Sequence, residues 1–278
     1  MPMPSDVIRL TLRGSIDQPV EIDGLTPDRT ATLSEAEIAT LPVFIGSRRA
    51  AVGDFFVVDG ERSDRLHIEG DLRNVDGLGT AMTSGELFVH GSAGARVGAG
   101  MMGGWIDIRG DAADDAGVGM SGGALRISGD AGDRLGAAPA GAAKGMTGGE
   151  IVVKGSAGSE VAARARRGLI AVGGDVGADA ARAIIAGTVV VFGRTGTDPG
   201  RGSKRGSIVA LGEIDIPATY DYACTYQPTY VRMLLTYLDR RYGVTAEERA
   251  LDGPYARYCG DAGHPGKGEI LAYTPANR

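Results

Sequence analysis

The stretch from Gly98 to Gly110, GAGMMGGWIDIRG, returns nineteen residues later as GVGMSGGALRISG, from Gly117 to Gly129. The glycine that ends each short apolar run forms a column with this same step, and a second glycine column runs in parallel with it. Both columns shift by the same seven extra residues between their third and fourth copies, so the segment around 136–143 is an insertion in a true internal repeat. The first column is Gly91, Gly110, Gly129, Gly155, Gly174, Gly193 and Gly212, and the second is Gly85, Gly104, Gly123, Gly149, Gly168, Gly187 and Gly206.

Each repeat unit contains a short strand pattern. Apolar residues stand four and two positions before the first glycine column, as in Ile106 with Ile108 and Ile170 with Val172. A spacing of two places both side chains on one face of a strand. One unit cannot bury this face alone, whereas parallel units stacked about 4.8 Å apart would form a continuous apolar interior. Because a unit is too short for an ordinary crossover helix, the repeat predicts an all-β parallel β-helix of about seven to eight coils over residues 63–212.

A methionine column accompanies the glycines. It stands three residues before the second glycine column, at Met82, Met101, Met120 and Met146. Methionine adapts its shape to irregular gaps, so we expect these side chains to fill interior corners of the stack.

The segment before the repeat, 1–62, is predicted to be a small amino-terminal β/α cap, since terminal units of a solenoid must cover the exposed end of the core. The alternating segment 7–12 predicts a strand, with the segment around Val20 and Ile22 as its pairing partner. Ser34 and Glu37 have the spacing of a capping box, which predicts a short helix that ends near Pro42. Residues 52–58 are predicted to form a strand.

The segment after the repeat, 213–278, is predicted to be a partly helical tail. An amphipathic helix is expected over about 228–242, opened by Pro228 and closed by Gly243, with an apolar stripe. All nine tyrosines of the chain lie in this segment. Such amphipathic rings are typical of a segment that covers another surface. The stripe consists of Val231, Leu234, Leu235 and Leu238.

The outward-facing positions of the units change character along the repeat. Three residues before the first glycine column, the early units carry mostly polar side chains and the later units carry apolar ones. A long apolar stripe is unusual if it is left exposed. We expect the stripe to be covered either by the carboxy-terminal segment or by another protein chain. Under the second alternative, the candidate partner interface consists of Val152, Val190, Val209 and Phe192. The early residues are His67, in an imperfect first unit that ends at Gly70, and Phe88, Asp107 and Arg126, and the later ones are Val152, Ala171, Val190 and Val209.

Composition excludes several classes of protein. The net charge of −6 argues against nucleic acid as a partner. The sequence has neither a signal-peptide pattern nor an apolar run long enough to cross a membrane, which predicts a cytoplasmic protein without a membrane partner. Cys224 and Cys259 lack the spacing of a zinc site or a disulfide framework.

The titratable residues do not suggest an active site. His67, His90 and His264 are scattered in the sequence, and Asp114 with Asp115 is the nearest approach to a carboxylate pair. General acid–base chemistry requires such groups to converge in a pocket. We therefore predict no catalytic residue and no metal ligand. Two function classes remain open, a structural subunit that docks catalytic chains and an enzyme or carrier-binding module in its own right.

The run Val52-Gly53-Asp54, the two Gly-x-Gly-Met-x-x-Gly motifs at 98–104 and 117–123, and the apolar strands resemble the C subunit of formylmethanofuran dehydrogenase. The resemblance covers about residues 52–212. It extends more weakly to the carboxy-terminal domain of the large glutamate synthase subunit, which is a right-handed β-helix. The resemblance therefore implies a right-handed β-helix here.

Within that family, the chain is similar to a subunit of bacterial formyltransferase/hydrolase complexes. This resemblance implies a scaffold subunit that binds no cofactor itself, in a complex that moves a formyl group from formyl-tetrahydromethanopterin to a furan-type carrier and releases formate. The expected partners are an amidohydrolase-like hydrolase subunit that holds metal, a formyltransferase subunit and a further subunit. The alternatives are the C subunit of a molybdenum or tungsten formylmethanofuran dehydrogenase and a structural domain of the glutamate synthase type.

A basic corner stands out in this acidic protein. The pairs Arg166-Arg167 and Lys204-Arg205 lie two units apart just before the second glycine column, which predicts a separation of about 10 Å. The family resemblance implies carriers with glutamate-rich tails, which such a row could hold through charge-assisted contacts. The alternative is a solvated corner without a ligand.

Overall fold

The computed structural model describes residues 7–264 and 266–275. Its strands are β1 Ile8–Leu12, β2 Val20–Glu21, β3 Pro42–Ile45, β4 Arg48–Ala51, β5 Phe56–Asp59, β6 Arg65–Glu69, β7 Val75–Asp76, β8 Glu86–Val89, β9 Trp105–Ile108, β10 Ala124–Ile127, β11 Glu150–Val153, β12 Leu169–Val172, β13 Thr188–Val191, β14 Ser207–Ala210, β15 Asp221–Tyr226, β16 Tyr255–Gly260 and β17 Gly268–Tyr273. Its helices are α1 Pro27–Thr30, α2 Glu35–Ala39, α3 Val52–Phe55, α4 Thr229–Tyr242 and α5 Glu248–Leu251.

The repeat units stack as parallel neighbours in one large sheet. Its strands follow the order β15-β16-β17-β14-β13-β12-β11-β10-β9-β8-β6-β1-β5. Residues nineteen positions apart are partners, for example Ile106 with Leu125, and the insertion leaves Leu125 opposite Ile151. The prediction of an all-β repeat with aliphatic columns in register is confirmed.

A second ladder joins the units on another side. Isolated parallel bridges connect one residue per unit, and most of these residues are alanines, whose small side chains permit close approach. The methionine corner supplies further contacts, since the Met102 N–H donates to the Met82 carbonyl at 2.8 Å. The four predicted methionines are fully buried, as expected. The bridged column is Leu72, Ala93, Ala112, Ala131, Ala157, Val176 and Thr195.

The amino-terminal segment differs from the sequence prediction in two places. Strand β1 lies between β5 and β6 in the large sheet, whereas β2 pairs with β3 and β7 in a separate four-stranded sheet, so the predicted β1–β2 pairing is wrong. Ile8 aligns with Leu66, and β1 thereby extends the buried aliphatic columns. The predicted strand over 52–58 begins only at Phe56, because the Asp54 carboxylate accepts the Ala51 N–H at 2.9 Å and stabilises the turn of α3.

Two predicted helices are present. Helix α2 begins after Ser34, and the predicted capping box with Glu37 forms. Helix α4 runs from Thr229 to Tyr242 and ends at Gly243, whose φ of 66° is left-handed. Among the described residues, no helix is both long and apolar enough to cross a lipid bilayer.

The tail closes the stack. Strand β17 pairs in parallel with β14, so that Glu269 lies opposite Ser207 at the position where a further unit would lie. Strands β16 and β15 then follow in antiparallel order. The end of the repeat is therefore covered by a segment that has no repeat pattern of its own.

Candidate functional site

The basic corner predicted from the sequence exists at one edge of the stack. Arg166, Arg167, Lys204 and Arg205 are all exposed or partly exposed. The Arg166 N–H donates to the Met146 carbonyl at 2.7 Å, and the Lys204 N–H donates in the same way to the Ile184 carbonyl at 2.8 Å. Equivalent backbone bonds thus place the two pairs at the same corner, two units apart.

Two nearby arginines are neutralised by ion pairs, whereas the four predicted cations have no such pair among the described residues. Arg182 pairs with Glu160 at 2.6 Å, and Arg201 pairs with Asp179 at 2.8 Å. Within the described chain, no ion pair joins a carboxylate to any of the four predicted cations. The corner therefore presents uncompensated positive charge.

The apolar outer stripe is covered by the chain itself. Val152, Val190 and Val209 have no exposed surface, because Val231, Leu235, Leu238 and Tyr242 of α4 pack on this face. Of the two alternatives that the sequence left open, the carboxy-terminal segment is the cover. These three valines are therefore not available as the predicted partner interface, because a partner would first have to displace α4.

Phe192, the fourth residue of that predicted interface, lies at the margin of the same apolar cluster. It is partly buried and lines a cleft of about 710 Å³ between the stack and the segment after α4. Leu211, Lys154, Tyr273 and Arg249 also line this cleft. Phe192 therefore packs against the cluster that contains the three valines and also lines this cleft.

A polar cluster at the end of α4 was not predicted. The Tyr237 hydroxyl donates to Glu150 at 2.8 Å, and the Tyr242 hydroxyl donates to the same carboxylate. Burial first and this hydrogen bond second raise the pKa of Tyr242. Trp105 stacks on Tyr242 with ring centroids 5.8 Å apart, and the Arg241 guanidinium lies over both rings. The sequence signal was the charged Glu150 at the start of an otherwise apolar strand.

The stacked units and the tail together have the fold of a chain of known structure, although no protein-family model matches this sequence. That chain lies in the crystal structure of the formyltransferase/hydrolase complex FhcABCD from Methylorubrum extorquens in complex with methylofuran, and the TM-score of the match is 0.88. The two chains are 37% identical, and the match covers 96% of this chain and 99% of the other. This chain belongs to the C-subunit family of these complexes.

Curated relatives carry both names of the family. The C subunit of the Methylorubrum extorquens Fhc complex is 38% identical over 88 residues, which are 32% of this chain and 33% of that protein. The C subunit of the tungsten-containing formylmethanofuran dehydrogenase 2 from Methanothermobacter marburgensis is 36% identical over 100 residues, which are 34% of this chain and 37% of that protein. In these sequence comparisons, the chain thus spans about a third of each relative's length.

In this member of the C-subunit family, two of the three histidines meet, although the sequence separates them. His67 Nδ1 lies 3.0 Å from His90 Nε2, since adjacent units bring both to one face. Partial burial first, and His90 second, lower the pKa of His67. His264 is remote from them and lies 3.7 Å from Asp261. Among the described residues, no group of three His, Cys, Asp or Glu side chains could hold a metal ion.

The predicted carboxylate neighbours are engaged within the stack. The Asp114 carboxylate accepts the Asp133 N–H at 2.8 Å, and Asp115 pairs with Arg134 at 2.7 Å. Each carboxylate therefore joins its own unit to the next. The arrangement assigns these two residues a structural role.

Proposed function

We propose that this chain is the non-catalytic scaffold of a formyltransferase/hydrolase complex. The complex would transfer a formyl group from formyl-tetrahydromethanopterin to a furan-type carrier and hydrolyse the product to formate. The match to a chain of FhcABCD, at 37% identity over 96% of this chain, carries the proposal. That related complex was crystallised with methylofuran, which supports a furan carrier here.

The chemistry belongs to other subunits in this proposal. An amidohydrolase-like subunit with bound metal hydrolyses the formyl group, a formyltransferase subunit loads the carrier, and the complex has one further subunit. The present chain contributes a long surface whose shape is fixed by unit-to-unit contacts, which is the usual role of a solenoid. Its Asp115–Arg134 and Glu160–Arg182 pairs support this role, because they join neighbouring units.

We also propose the finer architecture. Residues 63–212 form a right-handed parallel β-helix of about seven to eight coils, 1–62 form its cap, and 213–278 form its tail. Two parallel ladders per unit support a coil, and the strong preference of parallel connections for one hand supports right-handedness.

Co-purification tests the scaffold proposal. The tagged chain, expressed with its genomic neighbours, is expected to retain a hydrolase and a formyltransferase subunit, and the assembly should release formate from formyl-tetrahydromethanopterin when the furan carrier is present. Retention of no other subunit would refute the proposal.

The identity to the C subunit of a tungsten enzyme supports one second candidate, a formylmethanofuran dehydrogenase. The same purification distinguishes the two complexes. Molybdenum or tungsten in the purified assembly, with iron–sulfur subunits, would establish the dehydrogenase instead of the hydrolase complex.

The basic corner is proposed to hold the anionic tail of the carrier. Its four cations without described carboxylate partners support this role, because charge-assisted contacts retain a polyanion and weaken with salt. The anionic tail of the carrier would stay bound to this corner while the furan end of the carrier reaches a catalytic subunit.

Serine substitutions test the basic corner. Changing Arg166, Arg167, Lys204 and Arg205 to Ser should lower the carrier content of the purified complex and flatten its dependence on salt. Turnover with saturating short-tailed carrier should stay unchanged.

A matched pair of double variants supplies the control. The first double variant carries Arg166→Ser and Arg167→Ser. The control carries Arg48→Ser and Arg49→Ser, which remove an exposed arginine pair from β4. Equal carrier content in both double variants would contradict a role for the corner.

A further inference from the structure

Strand β15 is the last strand of the large sheet and has one free edge. Among the described strands it pairs with β16 alone, and all six of its side chains are exposed. Every other described strand of that sheet buries at least one residue. Side-chain burial therefore does little to offset the conformational entropy that β15 loses when it is ordered.

An apolar stripe continues from β15 along the outer face of α4. Tyr226, Tyr230, Met233 and Tyr237 follow one another at steps of four, three and four residues, with exposures of 38%, 40%, 68% and 39%. Together with Tyr222, they are five of the eight large hydrophobic side chains found exposed among the described residues. A contiguous exposed patch of this kind is typical of a protein–protein contact.

Three arginines lie around the most exposed member of the stripe, and one of them has no ion-pair partner in the described chain. A shallow concavity of about 690 Å³ on α4 is lined by Met233, Tyr237 and the arginines 232, 240 and 241. Arg232 pairs with Asp252 at 2.8 Å and Arg241 lies 3.7 Å from Glu150, whereas no ion pair within the described chain engages Arg240. The concavity thus fits an apolar side chain accompanied by a carboxylate that pairs with Arg240.

We propose that β15 and the outer face of α4 are the docking surface for another subunit of the complex. That subunit adds an extended acidic segment to the free edge of β15 and inserts an apolar side chain beside Met233. A strand edge presents unpaired N–H and C=O groups that another strand satisfies. The irregularity between Tyr222 and Cys224 leaves Cys224–Tyr226 in regular register with β16 and available for such pairing. This inference rests on the proposed function, because it names the partner surface of the scaffold.

Hydrogen exchange of the assembled complex tests the docking surface. The backbone amides of residues 221–226 and the exposed face of α4 should exchange more slowly in the complex than in the free chain. Unchanged exchange in both segments would overturn the inference. A free chain that is already dimeric, with these amides protected, would overturn it as well, because the occupant would then be a second copy of this chain.

Two variants give an independent measurement. Met233→Asp and Arg240→Glu should each weaken the retention of co-purified subunits by about thirtyfold, the size of a hot-spot loss. Met102→Asp is the matched control, since Met102 is 54% exposed but lies at a corner of the repeat stack. Circular dichroism of the free variants should be unchanged.

Assembly of the variants separates this inference from the proposed function. Normal assembly of both variants would overturn the docking surface and leave the scaffold proposal intact. A parent chain that assembles with no other subunit would overturn both.

Discussion

At the scale of single residues, the two glycine columns serve different purposes. Gly149 has a left-handed φ of 87°, which side chains disfavour. Gly155 has no such backbone, but an added Cβ would overlap the Asp130 carboxylate, which accepts the Ser156 N–H at 2.7 Å. Polar side chains of the preceding unit occupy this space at five positions of the first column, Gly110, Gly129, Gly155, Gly174 and Gly193, whereas backbone carbonyls occupy it at Gly91 and Gly212. The same side-chain bond to the next unit recurs at Ser92, Asp111, Asp114, Asp133, Ser156 and Asp175.

Gly155→Ala should destabilise the protein by about 2 kcal/mol, through overpacking and displacement of the Asp130 hydrogen bond. Thermal unfolding would measure the loss. Gly14→Ala is the control, because its Cβ would meet no atom within 4 Å. Equal melting temperatures for the two variants would show that the carboxylate can move aside without cost.

The partial burial of His67, with His90 beside it, makes stability depend on pH. The folded-state pKa of His67 lies below its ordinary value of 6.5, so the unfolded chain binds more protons just below that pH. The stability that neutral His67 contributes to the folded state is complete above about pH 6.5. It is lost as the pH falls through the folded-state pKa of His67. His67→Gln should therefore lose less stability than the parent between about pH 7 and pH 5. Urea unfolding at both pH values would measure this difference, and parallel losses would contradict it.

At the scale of elements, helix α4 is joined to the stack by matching apolar stripes with a polar rim. The sequence revealed both stripes separately, since each has its own periodicity. It could not reveal the Glu150 cluster with Tyr237 and Tyr242, because those contacts depend on where α4 lies across the strands. The His67–His90 pair was missed for a similar reason, as it depends on the register between β6 and β8.

Replacing Val190 and Val209 together with Lys should detach α4 while the units stay folded, because buried ammonium groups disfavour an apolar contact. Limited proteolysis should then cleave the chain between residues 221 and 243, with far-ultraviolet circular dichroism largely retained. Met233→Lys is the control on the exposed side of the same helix and should leave cleavage unchanged. Resistance of the double variant to the protease would contradict docking of α4 on this stripe.

At the scale of the whole molecule, the regular part of the fold could be predicted from the sequence and its ends could not. A nineteen-residue period determines which residues are neighbours, so the register of β8 to β14 follows from counting. Strands β1 and β17 have no repeat pattern, and their pairing with β6 and β14 depends on contacts between distant segments. The proposed function rests on the family resemblance, and the proposed docking surface rests on the structure.

The carboxy-terminal tail covers both the edge of β14 and the apolar outer stripe of the stack. A chain truncated after Gly212 would expose the β14 edge, which β17 covers, and the stripe that α4 covers. We expect this truncated chain to aggregate, because free edges and large apolar faces both promote association.

Adding Val190→Lys and Val209→Lys to the truncated chain distinguishes the two causes. If the apolar face dominates, the charged stripe should restore a soluble species in size-exclusion chromatography although the β14 edge remains free. We expect this result, since the stripe spans four units whereas the edge is a single short strand. Persistent aggregation, relieved only when residues 266–275 are supplied as a peptide that completes β17, would assign the protective role to strand pairing instead.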